Sequence, residues 1–142
     1  MTVQLAMYKG KGNLFNTLIR WWTNSKYSHC ELVVDGLCYS SSGMDKGVRC
    51  KENDLNSGNW DLIDLDWVDG NQVIDYFKLT DHYNYGYVGL ITAQVFNRGN
   101  GQSEAPFCSE WCADACGIPN ACSLSPNTLL NLISWLNTRP IK

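Results

Sequence analysis

No stretch of this 142-residue chain comes near the roughly eighteen consecutive apolar residues that a membrane-spanning helix needs. The opening residues, MTVQLAMYKGKGN, hold too short an apolar stretch for a secretory signal. Both absences point to a soluble protein without stable membrane insertion, kept in a cytoplasm unless another machine carries it out. Basic clusters are missing too. Eleven Lys and Arg against 14 Asp and Glu leave a net charge of −3, with no footprint for a nucleic-acid backbone. Nucleic acid is therefore not an expected partner. Histidine is scarce, with two in the chain, so few side chains can act as a base near neutral pH.

Cysteine is plentiful, but the patterns that would make it structural are absent. Seven is an odd count, no export signal accompanies it, and the chain is long enough to build its own core. Reduced thiols are expected rather than a disulfide scaffold. Zinc is opposed by the spacing: there is no C-x-x-C pair, and Cys108, Cys112 and Cys116 fall at i, i+4 and i+8. On a helix the first and third of these lie about 12 Å apart along the axis, beyond the reach of one ion. No metal and no cofactor is expected. With 44% hydrophobic and 18% charged residues, the composition is that of an ordinary folded protein.

Hydrophobic periodicity and turn signals divide the chain into short elements. TVQLAMY (2–8) reads as a strand closed by the Lys9-Gly10-Lys11-Gly12 turn. Asn13 is placed to cap a helix that carries Leu14, Leu18 and Trp22 at four-residue steps and ends near Asn24. Asp35-Gly36 is a strong hairpin signal inside Tyr27 to Ser42 and would pair Val34 with Leu37, Leu32 with Tyr39, and Glu31 with Ser40. His29 would then face Ser42. A loop with Gly43, Asp45 and Gly47 follows, and WDLIDLDWV (60–68) alternates as a strand. Residues 70–82 fit a short helix or a strand equally well. YGYVGLITAQVF (85–96) has helix-length apolar character, followed by a polar, glycine-rich loop at 97–103. FCSEWCADACG (107–117) predicts a helix stopped by Gly117, and Ser125-Pro126 predicts an N-cap and first residue for a helix with Leu129, Leu130, Ile133 and Leu136 inside. Without repeats or a linker, one α+β domain over residues 1–142 is the economical reading; its size suits burial of roughly two thirds of the unfolded surface.

Two features of this layout bear on chemistry. The first turn of a helix stabilises a thiolate through its free N–H groups and its dipole. Cys108 stands at such a place, after Pro106, whereas Cys112 and Cys116 fall further along the helix and should be interior. Of the two histidines, His82 lies in the polar stretch DHYNYG, while His29 begins a strand whose next residues, Leu32 to Val34, belong to a core. A histidine at a strand end is more often packed or solvated than catalytic, so neither feature alone is specific. Together, Cys108 and His29 are the candidate nucleophile and base.

Read side by side, YSHCELVVDG and FCSEWCADACG resemble the circularly permuted branch of the NlpC/P60 superfamily, papain-like cysteine hydrolases in which a strand histidine precedes the helix-borne cysteine. The likeness is greatest to the YiiX-like group. RWWTNSKYSHCELVVDGLCYSSSGMDKGVR, with Tyr85-Gly86-Tyr87 and the Cys108 segment, is similar to small phage and prophage members. The resemblance implies a small antiparallel sheet packed against helices, with Cys108 as nucleophile and His29 as general base. It also implies a third, orienting residue, but none of Ser40, Ser41, Ser42 and Asp45 is the Glu, Gln or His expected on the following strand. Side chains two apart on a strand share a face, so Glu31 ranks first for that role, then Asp45, then Ser42. Glu110, in the first turn, fits a helix cap better than a catalytic acid. Trp21, Trp22 and Tyr27 flank the approach to His29 and fit core and rim packing better than a substrate groove.

The implied activity is hydrolysis of an amide or ester bond through an acyl-thioester. The substrate would be a peptide, a protein or a lipid acyl group, with peptidoglycan stem peptide as the first candidate. A phage-encoded member would work in the host cytoplasm or travel with the virion. The rival expectation is a catalytically idle binding or virion structural protein of the same fold. A further rival is zinc or redox function through the seven thiols. Oligomeric state is not legible in the sequence.

Overall fold

The computed structural model describes residues 1–11, 26–42, 45, 47–81, 108–119 and 124–139. It is an α+β arrangement. Five strands, β1 (Val3–Tyr8), β2 (His29–Val34), β3 (Leu37–Ser42), β4 (Gly47–Lys51) and β5 (Trp60–Asp64), form one antiparallel sheet in the order β4-β3-β2-β1-β5. Three helices are present among the described residues: α1 (Gly70–Thr80), α2 (Cys108–Ala115) and α3 (Pro126–Asn137). The helix expected after Asn13, Trp21 and Trp22, His82, the apolar segment 85–96 and the loop 97–103 lie outside the described residues.

Alternation along β1 and β2 divides the sheet into two chemically different faces. Val3, Leu5 and Met7 pair with Val34, Leu32 and Cys30, and all six join the main core with Val73, Trp111, Cys112, Leu129 and Ile133. The opposite face carries Ala6, Val33 and Cys38 in a small second cluster under Leu55 and Trp60. That face also holds the polar residues of the site.

The hairpin between β2 and β3 follows the sequence expectation. Asp35 and Gly36 both have positive φ, 48° and 86°, the combination a two-residue turn needs to match strand twist. Val34 pairs with Leu37 and Leu32 with Tyr39, as expected. The ladder ends there, so Glu31 with Ser40 and His29 with Ser42 are not ladder pairs. Instead the Ser40 hydroxyl donates to the Cys30 carbonyl at 2.8 Å and bridges the parting strands.

Two boundaries differ from the sequence reading, and one open choice is decided. The expected loop around Gly47 is in part a strand, β4, whose Cys50, Arg49 and Val48 pair with Tyr39, Ser40 and Ser41. The strand expected over 60–68 stops at Asp64. Beyond it Leu65 and Val68 are buried in a turn, and the Asn137 side chain donates to the Asp64 carbonyl at 2.9 Å. The ambiguous segment after residue 70 is helical because Asp69 caps it, accepting from the Asn71 N–H at 2.9 Å.

The cysteine-bearing helix α2 lies across β2 and β3 and is held at both ends. At its C-terminus Gly117 adopts φ 75°, Gly117 N–H donates to the Asp114 carbonyl, and Ile118 N–H donates to the Ala113 carbonyl. This is a Schellman cap, and a side chain at position 117 would be strained in it. Gln72 of α1 donates to the Ala115 carbonyl at 2.8 Å. At the N-terminal end the buried Ser109 hydroxyl donates to the Leu124 carbonyl, tying the first turn to the chain that leads into α3. Midway, the fully buried Trp111 donates its indole N–H to Thr80 at 2.9 Å, which satisfies the one polar atom its burial would otherwise orphan. Ser125 caps α3 ahead of Pro126, with Leu129 and Ile133 buried and Leu130 and Leu136 half-buried.

Candidate active site

Cys108 is the first residue of α2 and is partly exposed, whereas Cys112 and Cys116 are buried. The fold brings its sulfur against the start of β2, where it meets both the His29 ring and the thiol and backbone of Cys30. The thiol is drawn well below its ordinary range. A hydrogen bond from the Cys30 thiol contributes most; burial opposes, and the charge and hydrogen bond of His29 add to the lowering. Sulfur and imidazole therefore favour the thiolate–imidazolium form.

His29 is held on its other side by Glu31. The ring Nε2 lies 2.9 Å from Glu31 Oε1, which leaves Nδ1 as the nitrogen available to the thiol. Burial works against the imidazolium, but the Cys108 thiolate and then Glu31 outweigh it and raise His29 to about 10. Glu31 is 1% exposed, and such a carboxylate is costly unless every lone pair is used. Here Oε1 also accepts from Arg49 Nη2, and Oε2 accepts from Asn53 Nδ2 at 2.6 Å. Burial opposes its charge, yet the hydrogen bonds and charges of His29 and Arg49 hold its carboxyl down at about 2.

The remaining candidates occupy other places in the same network. Asp45 does not reach the imidazole: its Oδ2 accepts from Arg49 Nε at 2.7 Å and from Lys51 Nζ at 2.9 Å. It thus orients Arg49, one step behind Glu31. Ser42 lies at the inner end of β3, paired with Gly47. Glu110 stands in the first turn of α2. Tyr27 is buried, and its hydroxyl donates to Asp61 at 2.5 Å, where Lys9 also binds at 2.6 Å, so it ties the entry to β2 onto β5.

Arg49 and Asn53 are the residues that sequence reasoning missed. Arg49 pairs across the ladder with Ser40, whose small side chain lets the guanidinium extend past it to Glu31. The available signal was Arg49 itself, a cation in a short alternating stretch that follows a hairpin carrying an otherwise uncompensated inward glutamate.

The approach to His29 has a defined wall. Tyr8 is the direct cross-strand partner of both His29 and Trp60, so the three share a face in one row. The Tyr8 and Trp60 rings meet at 4.9 Å between centroids. Beside them an open hollow of about 460 Å³ is lined by Tyr8, Lys9, Lys11, Gly58 and Asn59. Among the described residues no group of three or more His, Cys, Asp or Glu is arranged to hold a metal ion, and no helix is long and apolar enough to cross a membrane. Comparison with family models, with curated proteins and with solved structures returns no match for this chain.

Proposed function

We propose that the protein is a thiol hydrolase of the papain-like class. More narrowly, we place it in the circularly permuted NlpC/P60 arrangement of the YiiX-like group, in which the histidine strand comes before the cysteine helix. One observation carries this reading: a partly exposed cysteine at the start of a helix meets a histidine whose far nitrogen is fixed by a buried, fully hydrogen-bonded carboxylate. A structural thiol has no use for that carboxylate, which costs desolvation and needs Arg49 and Asn53 to offset it.

In the proposed reaction the Cys108 thiolate attacks the carbonyl carbon of an amide or ester. The developing oxyanion is met by the Cys108 backbone N–H at the helix start. His29 gives its Nδ1 proton to the departing amine or alkoxide, leaving an acyl-thioester on Cys108. The neutral imidazole then takes a proton from water, whose hydroxide attacks the thioester and releases the acid. Glu31 is a positioning residue: it holds the ring and stabilises the imidazolium. Arg49, Asn53 and Asp45 act through it.

The substrate is a peptide, a protein or a lipid acyl group, and peptidoglycan stem peptide is the first to try. Action in a host cytoplasm or with a virion follows from the same resemblance. The test is to incubate the protein with stem peptides, with a peptide library and with acyl lipids, and to look by mass spectrometry for an acyl adduct on Cys108. An adduct on Cys108 that is absent in His29→Ala supports the reading. A reactive Cys112 or Cys116 in its place would refute it.

A further inference from the structure

Cys108 does not stand alone at the sheet. The thiol of Cys30, fully buried on β2 next to His29, lies 3.9 Å from the sulfur of Cys112, and Cys112 in turn donates to the Cys30 carbonyl at 3.8 Å. Cys108 lies one turn before Cys112 on the same helix face, so Cys30 looks up at both. The Cys30 thiol also acts on Cys108 electrostatically, favouring its thiolate. The catalytic reading uses the Cys30 thiol only as a donor to the Cys108 thiolate and gives Cys112 no task.

From this cluster we infer that Cys30 is a resolving thiol, placed to convert an oxidised Cys108 into a reversible Cys30–Cys108 disulfide. The inference rests on Cys108 being the reactive thiol. The oxidant is a hydroperoxide. The Cys108 thiolate attacks its terminal oxygen, the O–O bond breaks, and the alkoxide or hydroxide that leaves takes a proton from the His29 imidazolium. Cys108 becomes a sulfenic acid. Cys30 sulfur then attacks Cys108 sulfur, and the Cys30 proton leaves with the hydroxyl group as water. Two thiols and one hydroperoxide thus yield one disulfide, one alcohol or water, and one water; sulfur is oxidised by two electrons and the peroxide reduced by two.

Geometry selects Cys30 over Cys112 as the partner. Residues four apart on a helix hold their Cβ atoms about 5–6 Å apart. A disulfide needs roughly 3.5–4.5 Å. Cys30 faces Cys108 from another element and escapes that restriction. Burial pushes the Cys30 thiol up, so it stays protonated and is a poor target for peroxide until a sulfenic acid forms beside it. The consequence is protection: without a resolving neighbour, the sulfenate would proceed to the irreversible sulfinic acid.

The experiment treats the full chain with two equivalents of hydrogen peroxide, enough to carry an unresolved thiol to the sulfinic acid, then maps thiols and cross-linked peptides by mass spectrometry before and after a dithiol reductant. The expected product has lost two hydrogens, joins the Cys30 and Cys108 peptides, and returns to the starting mass on reduction. In Cys30→Ser, Cys108 should instead gain two oxygens that the reductant does not remove. Wild-type protein that accumulates sulfinic acid at Cys108 without a bridge overturns the inference, as does a Cys30–Cys112 bridge with Cys108 untouched. Parallel iodoacetamide labelling separates the two claims. Selective labelling of Cys108 without peroxide bridging sinks this inference alone, whereas labelling that does not single out Cys108 sinks the hydrolase reading and this inference with it.

Discussion

Cys108 and Cys116 stand at opposite ends of one helix and belong to chemically opposite environments. Cys108 opens α2, partly exposed, beside an imidazolium and under a thiol donor, and its own thiol is held well below the ordinary range. Cys116 follows the last turn, buried in the core, where burial and the neighbouring Cys112 push its thiol far up. The helix dipole works in the same sense, favouring negative charge at the first end and opposing it at the second. Identity of residue therefore says little about reactivity. What matters is which end of the helix meets β2, and what β2 carries there.

The comparison breaks most sharply in turnover. With an amide or ester substrate that acylates the protein, Cys108→Ala should lower kcat/KM by on the order of 10⁴- to 10⁶-fold, as for a nucleophile and base that act as a unit. Cys116→Ala should leave it within about threefold in protein that remains folded, because a buried thiol deletion acts only through packing. Equal losses from both would erase the distinction.

A smaller effect is expected at the base. In His29→Ala the Cys108 thiol loses its cation and keeps the Cys30 donor, and alkylation at pH 6 should slow by roughly 10²-fold as the thiolate fraction falls. Labelling of Cys116 should not change. Because His29 is raised to about 10 and Cys108 lies below the ordinary thiol range, the rate of hydrolysis should rise on the acid side of neutrality and decline only as pH approaches 10. An optimum confined to the range above pH 9 would contradict the ion pair.

Next come the residues behind the histidine. Glu31→Gln keeps the shape but removes the charge, and should reduce kcat about tenfold to a hundredfold while moving the alkaline limb to lower pH, with KM little changed. Arg49→Met leaves Glu31 buried without its guanidinium and should destabilise the fold by about 3 kcal/mol, read from urea midpoints. If Glu31→Gln left the pH profile in place, Glu31 would be a structural carboxylate alone.

The smallest expected effect is on stability against pH. Glu31 is lowered from 4.5 to about 2, so its contribution is present above about 4.5 and is lost as pH falls through about 2. His29 is raised from 6.5 to about 10, so its contribution is complete below about 6.5 and is lost as pH rises through about 10. Urea midpoints measured from pH 3 to pH 10.5 should fall at both extremes. In Glu31→Gln both slopes should flatten.

Much of this comparison was legible before the structure. The Asp35-Gly36 turn, the Gly117 stop and the Ser125-Pro126 start each carry local backbone chemistry, and each appears where the sequence puts it. His29 and Glu31 fall two apart on a strand, so their meeting needed only the period of β structure. β4 was hidden because Arg49 and Lys51, on the face away from the main core, are charged and are compensated by Glu31 and Asp45 outside the strand. The end of β5 was hidden because Leu65 and Val68 continue an apolar rhythm while the backbone turns toward the Asp69 cap. Arg49 and Asn53 were missed for the same reason: they act on Glu31 through contacts 18 and 22 residues away, which no local pattern encodes.

The most direct test is site-resolved alkylation. Wild-type protein and His29→Ala are exposed to iodoacetamide from pH 5 to pH 9, and rates at every cysteine are followed by mass spectrometry. The account predicts that Cys108 alone reacts fast below pH 7 in the wild type and loses that advantage in His29→Ala, while Cys116 stays inert in both. A Cys108 that reacts no faster than a free thiol in the wild type would contradict the thiolate–imidazolium pair and the hydrolase built on it.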